Sequence, residues 1–222
     1  MKSFQHLLRA LAVLGLAIGV AHAQSGDVGL INLLSGDVSY QPDGAPASKA
    51  QAFMKVRSGD RFTVAAGAQL RIVYFQGGRQ ETWRGPVTVK AGAQQSDAGS
   101  AQPAQVSTLP GAVPQKIAQV PELIQIAKLG RSGGVAVRGG GKPPRLTADQ
   151  LAEVNGAKDT YKKMRAASSN DDITPELYLY SVLQDYLLYD DIKPVVEETA
   201  KRQPGNPDVD ALVAYVKTRT GN

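Results

Sequence analysis

The chain has 222 residues, 25 Lys and Arg against 20 Asp and Glu, 42% hydrophobic side chains and no cysteine, the composition of an ordinary globular protein of one large or two small domains. Without cysteine there is no disulfide framework and no thiolate chemistry, so the fold must hold by burial. The two histidines are His6 and His22. Both fall in a segment expected to be removed, which takes Ser-His-Asp and Cys-His mechanisms and imidazole or thiolate metal sites out of consideration.

That segment is 1–23. Lys2 and Arg9 precede an apolar run at 10–21 that ends in Ala21-His22-Ala23, the pattern of a secretory signal cleaved before Gln24. The run is well short of the roughly 20 residues that span a bilayer, so the mature chain is expected to be exported and not membrane-spanning. Charge is unevenly divided: residues 24–92 carry eight basic and five acidic side chains, 93–145 six and two, and 146–222 nine and thirteen. The basic residues do not cluster with aromatics as a nucleic-acid surface requires, so no nucleic-acid partner is expected.

Residues 24–92 read as a small all-β module, a sandwich or barrel. Leu30-Ile31-Asn32-Leu33-Leu34 is a β-prone run, and Ser35-Gly36-Asp37 turns it into Val38-Ser39-Tyr40. After a loop with Pro42, Gly44 and Pro46, a second Ser58-Gly59-Asp60 introduces a strand with Phe62 and Val64 on one face. Leu70, Ile72 and Tyr74 alternate with Arg71, Val73 and Phe75, which predicts a central strand. Gly77-Gly78 signals a hairpin, and Gly85-Pro86 breaks the chain before Val87-Thr88-Val89.

The order Gly36-Asp37-Val38, Val56-x-Ser58-Gly59-Asp60, Thr63, Ala66-Gly67-Ala68, the strand at 70–75, Gly77-Gly78 and Trp83-x-Gly85-Pro86 resembles an FecR-type domain over about sixty residues. The resemblance implies a periplasmic all-β module without catalytic residues of its own. Such modules occur in signalling regulators and in other exported proteins.

Residues 93–112, rich in Ala, Gln, Ser and Gly, read as a flexible linker. In 113–138, Val113, Ile117, Val120, Ile124 and Ala127 fall at helical spacing. Pro121 interrupts them and predicts two short helices or one kinked one, followed by a return strand at 135–138; the segment is expected to fold back on the β module. A Gly/Pro linker at 139–146 leads into an all-α region, 147–222. There Thr147 and Gln150 form a capping box, Pro175 opens a helix apolar nearly all round, Asp190 or Asp191 starts a third and Asn206-Pro207-Asp208 caps a fourth. Pro194 is expected in the first turn of its helix. The helix-turn-helix at 173–204, with Leu179, Val196 and Pro204, resembles a degenerate tetratricopeptide repeat in which Tyr180 and Ile192 replace small residues.

Candidate chemistry is sparse. Asp171-Asp172, Asp190-Asp191 and Glu197-Glu198 read as capping and dipole-complementing pairs rather than acid-base pairs. Asn206, Asp208 and Asp210 imitate half a calcium loop, but Ala211 and Lys217 stand where Gly and Glu are needed. Gly139 to Lys142 lacks the spacing of a phosphate loop. Two patches stand out as binding surfaces: Trp83 with Arg79, Arg84 and Tyr74, and the helix carrying Tyr178, Tyr180 and Tyr186. No catalytic residue, metal or cofactor is expected. The anticipated function is non-catalytic binding or scaffolding in the bacterial cell envelope, through protein or peptidoglycan. The alternatives are a ligand-sensing accessory to a separate membrane signalling protein and a glycan hydrolase, which needs two carboxylates roughly 5 to 10 Å apart.

Overall fold

The computed structural model describes residues 26–99, 103–131 and 145–220. The expected signal segment at 1–23 and the expected return strand at 135–138 lie outside these residues. Ten strands, β1 (Asp27–Ser35), β2 (Val38–Gln41), β3 (Ser48–Lys49), β4 (Lys55–Arg57), β5 (Arg61–Val64), β6 (Gln69–Tyr74), β7 (Arg79–Arg84), β8 (Val87–Ala91), β9 (Ser96–Asp97) and β10 (Gln105–Thr108), form two five-stranded antiparallel sheets. The first has the order β10-β7-β6-β1-β4 and the second β3-β2-β5-β8-β9. Strand β6 is the central strand of the first sheet, as its two-sided apolar pattern predicts.

Side-chain alternation decides which core each residue enters. Ile31, Leu70, Ile72, Tyr74 and Trp83 from the first sheet meet Val38, Phe62, Val64 and Val89 from the second. Leu30 and Val73 point the opposite way, into a second core. Each such fully buried aliphatic or aromatic side chain stabilises the fold by about 1.5–3 kcal/mol.

Two glycines are required by geometry. Gly36 has φ +75° and sits where an added Cβ would lie 2.9 Å from Ala68 Cα. At Gly85 an added Cβ would fall 1.8 Å from the Ala65 carbonyl oxygen, so only a bare backbone passes there.

The 93–112 stretch contains strands β9 and β10, not only linker. Its composition offers little to bury, but the rest of the sandwich captures it through polar groups. The Ser96 amide donates to the Glu81 carboxylate at 3.1 Å, the Tyr74 hydroxyl and Ser96 Oγ lie 2.8 Å apart, and β10 pairs along the edge of β7.

Among the described residues six helices follow: α1 (Val113–Ile117), α2 (Val120–Arg131), α3 (Ala148–Ala167), α4 (Thr174–Asp185), α5 (Tyr189–Arg202) and α6 (Pro207–Thr220). Pro121 opens α2, so the apolar stripe is cut into two helices rather than kinked. The capping box at Thr147 and Gln150 is formed, and Asn206 Oδ1 accepts from the Asp208 amide at 3.0 Å. Helix α4 is buried continuously from Thr174 to Leu183. Pro194 lies inside α5, in its second turn and not its first; the carbonyl it leaves without a helical donor belongs to exposed Asp190, which water can satisfy.

The helices cover the outer face of the first sheet. Leu30, Phe53 and Val73 share one core with Val113, Ile117, Ile124, Leu177 and Leu183. Helices α1 and α2 pack against α4 and α6 as well as sharing the core with Leu30 and Val73 of the sheet, and so complete the helical layer. The inner strands of the first sheet are thus covered on both faces.

Candidate functional site: a polar cleft between sheet and helices

The outer face of the first sheet is not uniformly apolar. Asn32 on β1, Arg71 on β6 and Gln80 and Thr82 on β7 are all buried there. A buried polar side chain needs partners, and these come from the loop that enters α4. Thr174 Oγ1 lies 2.8 Å from Gln80 Oε1 and 2.6 Å from Asp172 Oδ1, while Asn32 Nδ2 donates to the same hydroxyl. Gln80 Nε2 donates to Asp172 Oδ2 at 2.8 Å. Asp172 Oδ1 also accepts the Thr174 amide at 2.9 Å, so this carboxylate caps the start of α4 and ties it to the sheet.

Arg71 is 5% exposed. Its Nε donates to Thr82 Oγ1 at 2.8 Å, and its two terminal nitrogens face Asp171 at 3.5 Å and Asp172 at 3.7 Å. Those separations make ion pairs without short hydrogen bonds, and Nη1 has no hydrogen-bond partner among the described residues. At Asp171 burial opposes ionisation, but the Ser169 hydroxyl and the Arg71 guanidinium outweigh it and hold the carboxyl below its ordinary range.

Arg71, Gln80 and Asp172 form the floor of a half-open cleft of about 440 Å³. One wall is β10, through Gln105 and Ser107; the other is the end of α3, through Lys163, Met164 and Ala167. A site of this size with a few convergent polar groups falls in the range of ligand pockets. Its floor offers guanidinium and carboxamide N–H groups, its walls offer hydroxyls and an ammonium, and both oxygens of its carboxylate are already engaged.

A second buried polar cluster holds the helices together. Glu176 is fully buried between Arg165, 3.1 Å away, and Arg202, 3.3 Å away. Burial raises its pKa, although both guanidinium groups pull the other way. Asp60 in the sandwich is likewise raised by burial, against the Arg57 amide and the Tyr40 hydroxyl.

The residues singled out in the sequence are placed as follows. Trp83 is 5% exposed in the sandwich core, with its indole Nε1 donating to Glu81 at 3.1 Å. Arg79 Nε donates to the same carboxylate at 2.5 Å. Tyr74 is fully buried, and burial pushes its hydroxyl pKa up. Arg84 is exposed. Tyr178 and Tyr180 are buried within the helical layer, and Tyr186 reaches Glu153 Oε2 at 2.6 Å. Trp83, Arg79 and Tyr74 therefore converge on Glu81 and Ser96, away from the cleft. The cleft residues Arg71, Gln80 and Thr82 were not singled out by sequence, where their only signal is a polar side chain at alternate positions of a strand, and Asp172 was read only as one of a helix-capping pair.

Among the described residues no group of three or more His, Cys, Asp or Glu converges as a metal site, and no helix is long and apolar enough to cross a membrane. Compared with known proteins, the chain matches no family model, no curated protein and no solved structure.

Proposed function

We infer that this chain is an exported, non-catalytic binding or scaffold protein of the bacterial cell envelope, with an FecR-type sandwich as a rigid platform for a protein or peptidoglycan partner. The observation that carries this is the cleft between the sheet and α3, whose floor is immobilised by the buried set Asn32, Gln80, Asp172 and Thr174. A pre-organised floor lowers the ordering cost of binding. The carboxylates that line or underlie it serve as structural acceptors: Asp172 is held by Thr174 and Gln80, and Glu176 by two arginines. Export rests on the leader at 1–23.

A photo-crosslinking amino acid placed at Ala167, an exposed residue at the cleft mouth, tests the reading in cells that export the protein. The expected result is a discrete adduct to an envelope protein or to glycan strands, with none from the same probe at exposed Asp43 on the far sheet. No adduct from Ala167, nor from exposed Arg84 near the Trp83 patch, removes the scaffold reading.

A further inference from the structure

We propose that the cleft holds a peptidoglycan stem peptide, a short chain of small residues bearing free carboxylates, with one carboxylate on Lys163 and alanyl methyl groups against Met164, Leu109 and Pro110. This deepens the scaffold reading and rests on it for the compartment.

The charges of the floor are spent on one another. Arg71, 5% exposed, faces Asp171 at 3.5 Å and Asp172 at 3.7 Å. The second of these carboxylates is not open to a ligand: Asp172 accepts the Thr174 amide at 2.9 Å and the Gln80 carboxamide at 2.8 Å, and it stands at the start of α4, where the helix dipole favours a negative charge. Asp171 in turn accepts the Ser169 hydroxyl. Lys163 is different. It lines the cleft from the exposed side of α3 and makes no ion pair among the described residues. The charge left for a ligand is therefore one ammonium on the wall, and its natural partner is a carboxylate.

The uncharged lining suits a peptide. Gln105, Ser107 and Ser168 bring carboxamide and hydroxyl groups that can pair with peptide N–H and C=O, while Met164, Leu109 and Pro110 supply apolar surface for small side chains. No aromatic ring lines the cleft among the described residues, so the face of a sugar ring has nothing to stack on, and the stem is favoured over the glycan strand. Size favours a short ligand over a folded protein. The cleft holds about 440 Å³, whereas a stable protein partner needs roughly 800 Å² of surface on each side.

The test titrates the stem tetrapeptide released from purified peptidoglycan into the isotope-labelled chain from Gln24 onward and follows backbone amide shifts by NMR. Three more ligands are compared with it: the same peptide with its carboxyl groups amidated, tetra-alanine, and the neutral glycan chitotetraose. The variants are Lys163→Gln, Ala167→Trp, which fills the mouth of the cleft, and Lys217→Gln on α6; all three positions are exposed, and circular dichroism checks that the variants fold. The stem peptide is expected to shift the amides of Ser107, Ala167 and Ser168. Amidation and Lys163→Gln should each raise its Kd roughly three- to tenfold, without adding to each other, Ala167→Trp should abolish binding, and Lys217→Gln should leave it unchanged. Absence of any saturable shift with the stem peptide overturns the proposal, as does equal binding of the amidated peptide. Equal losses in Lys163→Gln and Lys217→Gln also overturn it, because the attraction is then non-specific. Tighter binding of tetra-alanine or of chitotetraose replaces the stem with a protein tail or a glycan strand. If Ala167 still crosslinks an envelope protein while the stem peptide shifts nothing, the scaffold reading stands and the stem site falls.

Discussion

The hydroxyl of Thr174 and the carboxamide oxygen of Gln80 lie 2.8 Å apart, joining the first turn of α4 to the outer face of β7 across 94 residues of chain. The same hydroxyl accepts from Asn32 on β1, and Gln203 at the end of α5 donates to the Asn32 carbonyl at 3.1 Å. These bonds sit beside the apolar contacts of Leu30 and Val73 with the helices. The helical layer is therefore fixed in orientation as well as buried. Thr174→Val keeps the shape but removes the hydroxyl shared by Gln80, Asn32 and Asp172, leaving Gln80 Oε1 and Asn32 Nδ2 only their own longer contact at 3.3 Å in a buried site. It should destabilise the protein by about 1–3 kcal/mol, and a double-mutant cycle with Gln80→Leu in urea should show a coupling on the order of 0.5–3 kcal/mol. Additive effects would mean that the contact contributes nothing specific.

Trp83 is the only tryptophan, buried in the sandwich, whereas far-UV circular dichroism is dominated by the helices. Because the two layers share a core, denaturant curves from tryptophan fluorescence and from circular dichroism should coincide. Separated midpoints in the wild type would show that sheet and helices unfold independently.

Glu176 has no exposed surface and pairs with both Arg165 and Arg202. Glu176→Leu leaves the Arg165 guanidinium without its counter-charge and Arg202 with Glu198 alone, 2.6 Å away, and should cost about 3–5 kcal/mol in equilibrium unfolding. Arg202→Met leaves Glu176 one partner, and its cost should be distinctly smaller.

The pH dependence separates two carboxylates of opposite sign. Asp171 has a lowered pKa: burial opposes ionisation, and the Ser169 hydroxyl with Arg71 more than compensates. Its contribution to stability is present above the ordinary Asp range and is lost as pH falls through the lowered value, because the unfolded chain takes up the proton first. Glu176, raised by burial against its two arginines, favours the folded state at low pH, and that benefit is lost as pH rises through its folded value. The wild-type minus Asp171→Asn stability difference, followed by urea unfolding across the acid range, should shrink on acidification. A flat difference would remove Asp171 from the linkage.

Gly85 and Gly44 separate space from backbone angle. Gly44 has φ +74° with nothing within 4 Å of an added Cβ, whereas a Cβ at Gly85 falls 1.8 Å from Ala65 O. Gly44→Ala should cost on the order of 1 kcal/mol. Gly85→Ala must displace two strands and should lower the thermal midpoint several times as far; equal shifts in scanning calorimetry would contradict the close approach.

The order of elements was legible from local physics alone. Period-two alternation at 70–75 placed β6 at the centre of a sheet, Thr147 with Gln150 started α3, Pro121 divided α1 from α2, and the apolar circumference of 174–183 marked α4 as buried. The edge strands were hidden, because Ser96 and 105–108 carry almost no apolar signal; β9 is held by the Glu81 carboxylate and β10 by the β7 ladder. The candidate site was hidden for a related reason. Asn32, Arg71, Gln80 and Thr82 carry no local signal of a site, and only when the helices lie across their face of the sheet do they become buried. Asp172 and Thr174 supply their partners from about 90 residues and more away from Gln80. Alternation along a strand establishes that two faces exist; what covers the second face is a long-range packing choice, and that choice turned a polar stripe into a cleft.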